Sequence, residues 1–295
     1  MKSPFNSKTY SQPDDLALIK SCLDGSKQAL NALVQKHQGY IFNVALKYFN
    51  HIANAEDATQ EVLIKVILNL GTYNPEKAQF RTWLYRITFN HFLNTKKTPM
   101  EMLYEPGFDN FFNIIENSQV IELTDTEESQ LKWQIEESKV ACMAGMIMCL
   151  DREQRLIYII GDVFEVDHHL GADIFETTPA NFRQKLSRAR KDLFEWMNNR
   201  CGLVNQNNPC RCPKKTKGFI EKGYVNPLEL KWHSDFTSRI FELSENTVDD
   251  LLNERDKIYS NLFKQHPFKT NKVTTEAILD EIMGNEKFKD SFNLN

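Results

Sequence analysis

The sequence predicts an all-α protein in which a flexible linker joins two helical domains and a small helical C-terminal extension follows. Apolar residues recur at helical spacing, as at Val62, Val66 and Leu70, and this period gives a helix one buried stripe. The alternation typical of β-strands is hard to find, and only 11 glycines and 10 prolines occur in 295 residues. A chain of this length accommodates two or three domains.

The first predicted domain covers residues 14–97 and begins with two helices. Asp14 or Asp15 can cap the first of them, because a short acidic side chain accepts hydrogen bonds from the free amides of a helix start. A longer second helix is predicted over about 27–49, where apolar residues again recur at helical spacing.

Residues 55–97 form the centre of this domain and are predicted as two helices joined by the loop 71–79. Asn54 can cap the first helix, and Asp57 follows three residues later. The side chains outside its apolar stripe are Asp57, Gln60, Glu61 and Lys65. The helix is broken at Gly71, Asn74 and Pro75.

The second helix of the pair restarts near Glu76 and is predicted to bury Phe80, Leu84 and Ile87, with Trp83 alongside. Its other faces carry polar residues, namely Arg81, Arg86, Asn90, His91 and Asn94, and it ends in Lys96 and Lys97. The pair therefore presents an acidic surface on one helix and a basic, amide-rich surface on the other.

Residues 98–130 are predicted to be the linker. Thr98-Pro99 stops the preceding helix, because the residue before a proline disfavours helical backbone. The segment then combines acidic residues with Phe108, Phe111 and Phe112. Two alternatives remain open for these rings: they pack locally, or they lie in a groove of a partner.

The second predicted domain, residues 131–200, ends in a helix-turn-helix. A short helix around Ala172 and Ile174 precedes a turn, and Thr178 with Pro179 opens a second helix. On that helix Phe182, Leu186, Ala189 and Leu193 are predicted to face inward. Arg183, Gln184, Lys185, Ser187 and Arg188 are left to face outward, and Arg and Gln pair bidentately with guanine and adenine edges.

Charge distribution favours contact with both DNA and protein. The net charge is −4, which taken alone argues against nucleic-acid binding. Basic residues nevertheless concentrate in 181–222 and acidic residues in 116–137. Patches of separate sign suit a protein that touches DNA with one surface and a basic protein with another.

The sequence supports neither a membrane protein nor an enzyme. No apolar run approaches a membrane-spanning length, and the N-terminus lacks the apolar core of a signal peptide, so we expect a cytoplasmic protein without membrane contact. There is no glycine-rich phosphate loop, no HExxH and no nucleophile elbow, so we expect no enzyme and no required cofactor.

The central helical pair resembles conserved region 2 of bacterial sigma factors of the extracytoplasmic-function (ECF) type, in the sigma-70 family. That family shows A-E-D-x-x-Q-E-V-F, a gap, and then F-x-x-W-L-x-x-I-x-x-N. The matching residues here are Ala55, Glu56, Asp57, Gln60, Glu61, Val62, Phe80, Trp83, Leu84, Ile87 and Asn90, with Asn94 and Lys97 beyond them.

This resemblance implies a subunit that binds core RNA polymerase and promoter DNA and directs transcription initiation at −10 and −35 elements. It implies that Asp57, Gln60 and Glu61 dock on the basic coiled coil of the largest polymerase subunit. It also implies −10 element contacts by Tyr73, Arg81, Arg86, Asn90, Asn94, Lys96 and Lys97. An anti-sigma factor is a further candidate partner.

The helix-turn-helix resembles region 4 of the same family, which reads the −35 element. The matching features are the R-A-R at Arg188–Arg190 and the LDREQR at Leu150–Arg155, where Asp151 replaces the usual proline. The first half departs from the family: Gly171 stands for an apolar residue, Glu176 for the turn glycine, and His168 and His169 for a polar-acidic pair. The −35 contacts implied are Arg183, Gln184, Lys185, Ser187 and Arg188.

Three cysteines cluster at the start of the extension, residues 201–295. Asn207-Asn208-Pro209 can turn Cys201 back toward Cys210 and Cys212, and basic neighbours are expected to lower the thiol pKa values. The alternatives are a zinc site with His233 or His168 as fourth ligand, a redox-sensitive dithiol, or structural cysteines. Cys22, Cys142 and Cys149 lie in apolar helices and are interpreted as core residues.

The rest of the extension is predicted as short helices over 235–243, 248–263 and 275–286. Either an accessory domain packs on region 4, or a regulatory domain masks or supports DNA and polymerase binding. Two rival functions stand beside the sigma factor: a helix-turn-helix regulator that does not act as a polymerase subunit, and a thiol or zinc sensor whose active part is the extension.

Overall fold

The computed structural model describes Phe5 and residues 10–232, and these residues contain helices and no named β-strand. The all-α prediction is therefore confirmed for the described part of the chain. The helices predicted over 235–243, 248–263 and 275–286, and His233, lie outside the described residues.

Twelve α-helices occur within the described residues. They are α1 (Gln12–Leu23), α2 (Lys27–Phe49), α3 (Ile52–Leu68), α4 (Phe80–Asn94), α5 (Pro99–Tyr104), α6 (Phe108–Glu116), α7 (Asp125–Gln130), α8 (Lys132–Met148), α9 (Arg152–Tyr158), α10 (His168–Ile174), α11 (Pro179–Arg200) and α12 (Cys212–Glu221). A 3-10 turn (Leu70–Thr72) follows α3, and a π-helical turn (Ile159–Val163) follows α9.

The chain divides into two compact units. The described part of the first contains the residues up to Thr98 and Ile159–Gln184; that of the second contains Pro99–Tyr158 and the residues from Lys185 to Trp232. The division differs from the predicted segments, because residues 159–184 group with the N-terminal helices. Aromatic contacts explain this: the ring of Phe164 lies 5.6 Å from that of Phe5, and the ring of Phe175 lies 5.4 Å from that of Phe89.

Helix starts in the first unit differ from three predictions. Ser11, not Asp14 or Asp15, caps α1, because the buried Asp15 carboxylate instead pairs with Lys36 at 2.6 Å. His51, not Asn54, caps α3: its Nδ1 accepts from the Asn54 amide at 3.4 Å.

The fourth helix begins at Phe80, later than the predicted start near Glu76. The amide of Glu76 donates to Asn74 Oδ1 at 2.8 Å, which holds this stretch in a local turn.

The predicted linker segment 98–130 contains three helices, α5 to α7, within the second unit. Its rings pack locally: Phe108 and Phe112 stack on Trp196 with ring centroids 5.4 and 5.5 Å apart. The structure therefore shows the first of the two alternatives for these aromatic residues. Thr124 and Glu127 form a capping box that starts α7.

Residues 201–232 belong to the second unit and are held to its earlier helices. The Lys215 ammonium donates to the carbonyls of Ile115 (2.8 Å) and Ser118 (2.6 Å) at the end of α6. The buried Trp232 donates its backbone N–H to the buried Glu137 carboxylate at 3.0 Å. The described start of the extension is thus an integral part of this unit.

Candidate polymerase and promoter interface

Helix α3 presents the predicted docking residues on one face. Asp57 and Glu61 are exposed and Gln60 is half-buried, and a spacing of three and four residues places them on the same side of a helix. The opposite side is fixed in the core, where Val62 is fully buried and Ala58 is 5% exposed. The backbone beneath this acidic face is therefore held rigidly.

A groove of about 690 Å³ lies between α3 and α4. The residues lining it are Glu61, Lys65, Ile87, Asn90, His91, Asn94, Thr95 and Lys96. It joins the predicted polymerase-docking residue Glu61 to three of the predicted −10 contacts. Ile87, predicted to be buried, is only half-buried and forms part of the groove wall.

His91 lines the groove and lies close to two side chains of α3, a role that sequence reasoning did not assign to it. Its Nδ1 lies 2.6 Å from Lys65 Nζ, and its Nε2 lies 3.5 Å from a Glu61 carboxylate oxygen. Burial and the Lys65 charge lower the pKa of His91, so the ring is neutral at neutral pH and accepts from the ammonium. A lysine and a histidine 26 residues apart carry no local sequence signal for this contact.

Asn90 and Asn94 are exposed one helical turn apart on α4. The side-chain amide nitrogen of Asn94 donates to the backbone carbonyl of Asn90 at 2.7 Å. The side-chain oxygen of Asn94 is therefore directed away from that bond. Lys96 and Lys97 follow the end of α4 and are exposed. These four residues are placed on the surface as predicted.

Arg81 was predicted to face outward, and this is wrong. The residue is 7% exposed, and its guanidinium lies 4.4 Å from the centre of the Tyr10 ring while its amide donates to the Tyr10 hydroxyl. A guanidinium stacked in this way is poorly placed to neutralise a DNA phosphate.

Tyr73 and Arg86 are both engaged by neighbouring residues. Tyr73 is half-buried, and its hydroxyl donates to the Ala78 carbonyl at 3.0 Å, which closes the loop 71–79 on itself. Arg86 Nε donates to the Asp173 carbonyl at 2.8 Å, and Arg86 Nη1 lies 3.4 Å from the Glu176 carboxylate. Tyr73 therefore shapes the loop, and Arg86 is held by the turn after α10.

The sequence profile described as sigma-70 region 2 matches residues 33–98, which begin within α2 and end just after α4. These residues are therefore similar to a sigma-70 region 2. Asn90 and Asn94 on α4, Lys96 and Lys97 just after it, and the acidic face of α3 all lie inside the match.

The chain is also similar to several sigma factors over part of its length. The chain is 35% identical over 79 residues to the RNA polymerase sigma-H factor of Pseudomonas aeruginosa, covering 27% of this chain and 40% of that one. It is 34% identical over 79 residues to the ECF RNA polymerase sigma-E factor of Haemophilus influenzae, covering 27% and 41%. It is 29% identical over 72 residues to the ECF RNA polymerase sigma factor SigW of Bacillus subtilis, covering 24% and 38%. The resemblance to ECF sigma factors is confirmed, and the match spans about two fifths of these relatives.

Beyond the sigma-70 region 2, helix α11 has the predicted two-sided character. Phe182, Leu186, Ala189 and Leu193 are buried. Arg183, Gln184, Ser187 and Arg188 are exposed. Lys185 is half-buried and pairs with Glu153 at 2.5 Å, so it is less available than the others.

The structure explains two of the three departures of the helix-turn-helix from the family pattern, those at Gly171 and Glu176. A Cβ on Gly171 would lie 2.5 Å from the tip of the Phe182 ring, so the large ring fills the space that an apolar side chain would use. Glu176 has a φ of 51°, the left-handed region that a turn glycine adopts without strain. The Glu176 carboxylate lies 3.4 Å from Arg86 Nη1.

Replacing Gly171 with leucine, as the family pattern would suggest, should lower the free energy of unfolding by about 1–3 kcal/mol because the new side chain overpacks against Phe182. The measurement is amide hydrogen exchange of α10 and α11 in the full chain. In a Gly171→Leu, Phe182→Ala double variant, the loss of unfolding free energy should be smaller than the sum of the losses in the two single variants. If the loss of unfolding free energy in the double variant equals or exceeds that sum, the side chains at the two sites are not in steric conflict.

No helix in the described part of the chain has the length and apolarity needed to cross a membrane.

The structure brings Cys201 and Cys210 together as predicted, through an isolated β-bridge between them. The expected lowering of thiol pKa values is wrong. Burial raises the pKa of Cys201 to about 11 and also raises the pKa of Cys210, although Arg211 acts in the opposite direction on both. Because a reactive thiol needs a low pKa, this disfavours the redox-dithiol alternative.

His168, one of the two candidate fourth ligands, lies on α10 in the first unit. Its ring centroid lies 4.3 Å from that of His169, with the rings tilted by 39°, and its Nδ1 lies 3.4 Å from the Asp167 carboxylate.

Proposed function

We propose that this protein is an RNA polymerase sigma factor that binds the core enzyme and directs transcription initiation from promoters with −10 and −35 elements. The observation that carries the proposal is the sigma-70 region 2 at residues 33–98. Its two exposed helical faces have the charge and chemistry that the two partners require. The protein would act in the cytoplasm, where polymerase and DNA are found.

The acidic face of α3 would bind a basic surface of the polymerase through Asp57, Gln60 and Glu61. Opposite charges across an interface set its register and speed association. The face suits this role because two of the three side chains are exposed and the backbone beneath them is buried against α2.

The exposed side of α4 would contact the −10 element. Asn90 and Asn94 offer amides that pair with base edges, and Lys96 and Lys97 offer charges for phosphates. Tyr73 would act by holding the loop 71–79 in shape, while Arg86 would reach DNA only after leaving Asp173 and Glu176. We do not include Arg81, because it is buried against Tyr10.

Helix α11 would read the −35 element. Replacing Arg188 with alanine should weaken binding to the correct −35 sequence by about 1–3 kcal/mol, roughly 5- to 150-fold, and relax the preference at one base. Binding is measured with duplexes that vary one base at a time. The matched control is Lys191→Ala, an exposed residue of α11 that pairs with Glu195 and should change all duplexes equally. If Arg188→Ala lowers the affinity for every duplex equally, Arg188 does not contact a base specifically.

The function is tested by transcription from candidate promoters with purified core polymerase. The full chain is compared with a chain ending at Trp232, because a cut at Arg200 would remove the residues that hold α6 and α8. Promoter-dependent transcripts from either chain support the proposal. Higher activity of the shorter chain would make the remaining extension an inhibitor.

The rival function is a DNA-binding regulator that does not engage polymerase. Promoter binding without co-elution with core polymerase, and without transcripts from either chain, would favour it and overturn the sigma proposal. An anti-sigma partner remains a proposal; in the same assay such a partner would compete with core polymerase for the chain.

A further inference from the structure

Four cysteines from separate parts of the second unit line one small cavity. Its volume is about 20 Å³, close to the space that one water molecule needs. Cys142 lies on α8, Cys201 directly follows α11, Cys210 lies in the connecting loop, and Cys212 opens α12. Cys142 was interpreted as a core residue from sequence, and the structure places it with the three clustered cysteines.

The loop 201–212 is held in the shape that gathers these thiols. The Asn208 side-chain amide donates to the carbonyls of Asn198 (2.9 Å) and Cys201 (3.1 Å), which pins the turn to the end of α11. A Cβ on Gly202 would lie 2.1 Å from the Cys210 carbonyl oxygen, so only glycine permits this close approach.

The cavity has the chemistry of a closed, soft metal site. Apart from the four cysteines, most of the residues that line it are apolar, including Met143, Met146 and Phe219, and Lys139 and Lys215 line it as well. None of the four cysteines is exposed. Four thiolates suit tetrahedral Zn²⁺, and a site without room for a fifth group is structural. The two lysines would offset the negative charge of a zinc ion bound by four thiolates.

We propose that Cys142, Cys201, Cys210 and Cys212 bind one structural Zn²⁺ ion. In the described residues no three His, Cys, Asp or Glu side chains already stand in a metal-binding arrangement, so zinc binding requires the four cysteine side chains to rearrange. Each thiol gives its proton to solvent as its sulfur bonds to zinc. The ion would tie α8, the end of α11 and α12 together.

The test measures zinc by elemental mass spectrometry and by native mass in the full chain, purified without a metal-binding tag. We expect about one zinc per chain, retained through dialysis. Cys142→Ser should lose it, as should Cys201→Ser, Cys210→Ser and Cys212→Ser. The matched control is Cys149→Ser, seven residues from Cys142 at the end of α8, which should keep it. A native chain without zinc, or a Cys142→Ser variant that keeps its full zinc, overturns the proposed four-cysteine site.

A second measurement keeps the proposal testable if a serine variant fails to fold. The native chain is stripped with a chelator and reloaded with Co²⁺, whose visible spectrum reports tetrahedral thiolate ligation. A spectrum typical of four thiolates supports the site, and one typical of oxygen and nitrogen ligands overturns it. Neither readout involves polymerase, so the zinc site and the sigma function can fail independently.

Discussion

A Glu101→Ala variant should lower the free energy of unfolding of the second unit by about 3–5 kcal/mol. Glu101 is 3% exposed, and its carboxylate pairs with Arg152 at 2.8 Å and with Arg155 at 3.0 Å. Arg155 is 4% exposed and also donates to the Met148 and Leu150 carbonyls. The substitution would therefore leave a buried guanidinium without its counter-charge.

The effect is measured by hydrogen exchange of the α8 and α9 amides, because a chain with two units need not unfold in one step. The matched control is Glu122→Ala. Glu122 pairs with Lys214 at 2.6 Å, but its side chain is 74% exposed, so its loss should cost less than about 1 kcal/mol. Equal losses for the two variants would contradict the assigned role of burial at Glu101.

Periodicity predicted the helices well because it reports local burial. The buried residues of α11, among them Phe182, Leu186 and Leu193, were identified from their spacing alone. Helix starts were less predictable. Asp15 looks like a cap in sequence, but the tertiary structure uses it to pair with Lys36, 21 residues later in the chain.

Contacts between residues that lie far apart in the sequence could not be predicted. Arg81 has the composition and position of a phosphate contact, and only the fold shows that Tyr10, 71 residues earlier, covers it. Glu101 and Arg155 are 54 residues apart, and neither has a local feature that marks it as a partner. Cys142 reads as a core cysteine because its helix is apolar, and only packing brings it to the cavity lined by Cys201, Cys210 and Cys212.

A double variant, Asp57→Lys with Glu61→Lys, should weaken binding to core polymerase by about 3 kcal/mol or more, over ~100-fold in Kd. Both side chains are exposed on one face of α3, so reversing them should leave the buried side of the helix unchanged. A basic polymerase surface would then meet like charge. The measurement is the Kd for core enzyme at two salt concentrations, and the native chain should lose affinity as salt rises.

The matched control distinguishes the effect of charges on this face of α3 from the effect of the chain's total charge on polymerase affinity. Asp14→Lys with Asp24→Lys makes the same change in net charge at exposed positions of the first unit that belong to α1 and its C-cap and not to α3. If that variant loses as much affinity as the first, long-range attraction and not docking on α3 explains the result. If the α3 variant binds normally, the acidic face is not the docking surface. Loss confined to the α3 variant, with −10 DNA binding unchanged, would show that α3 and α4 serve different partners across the groove they share.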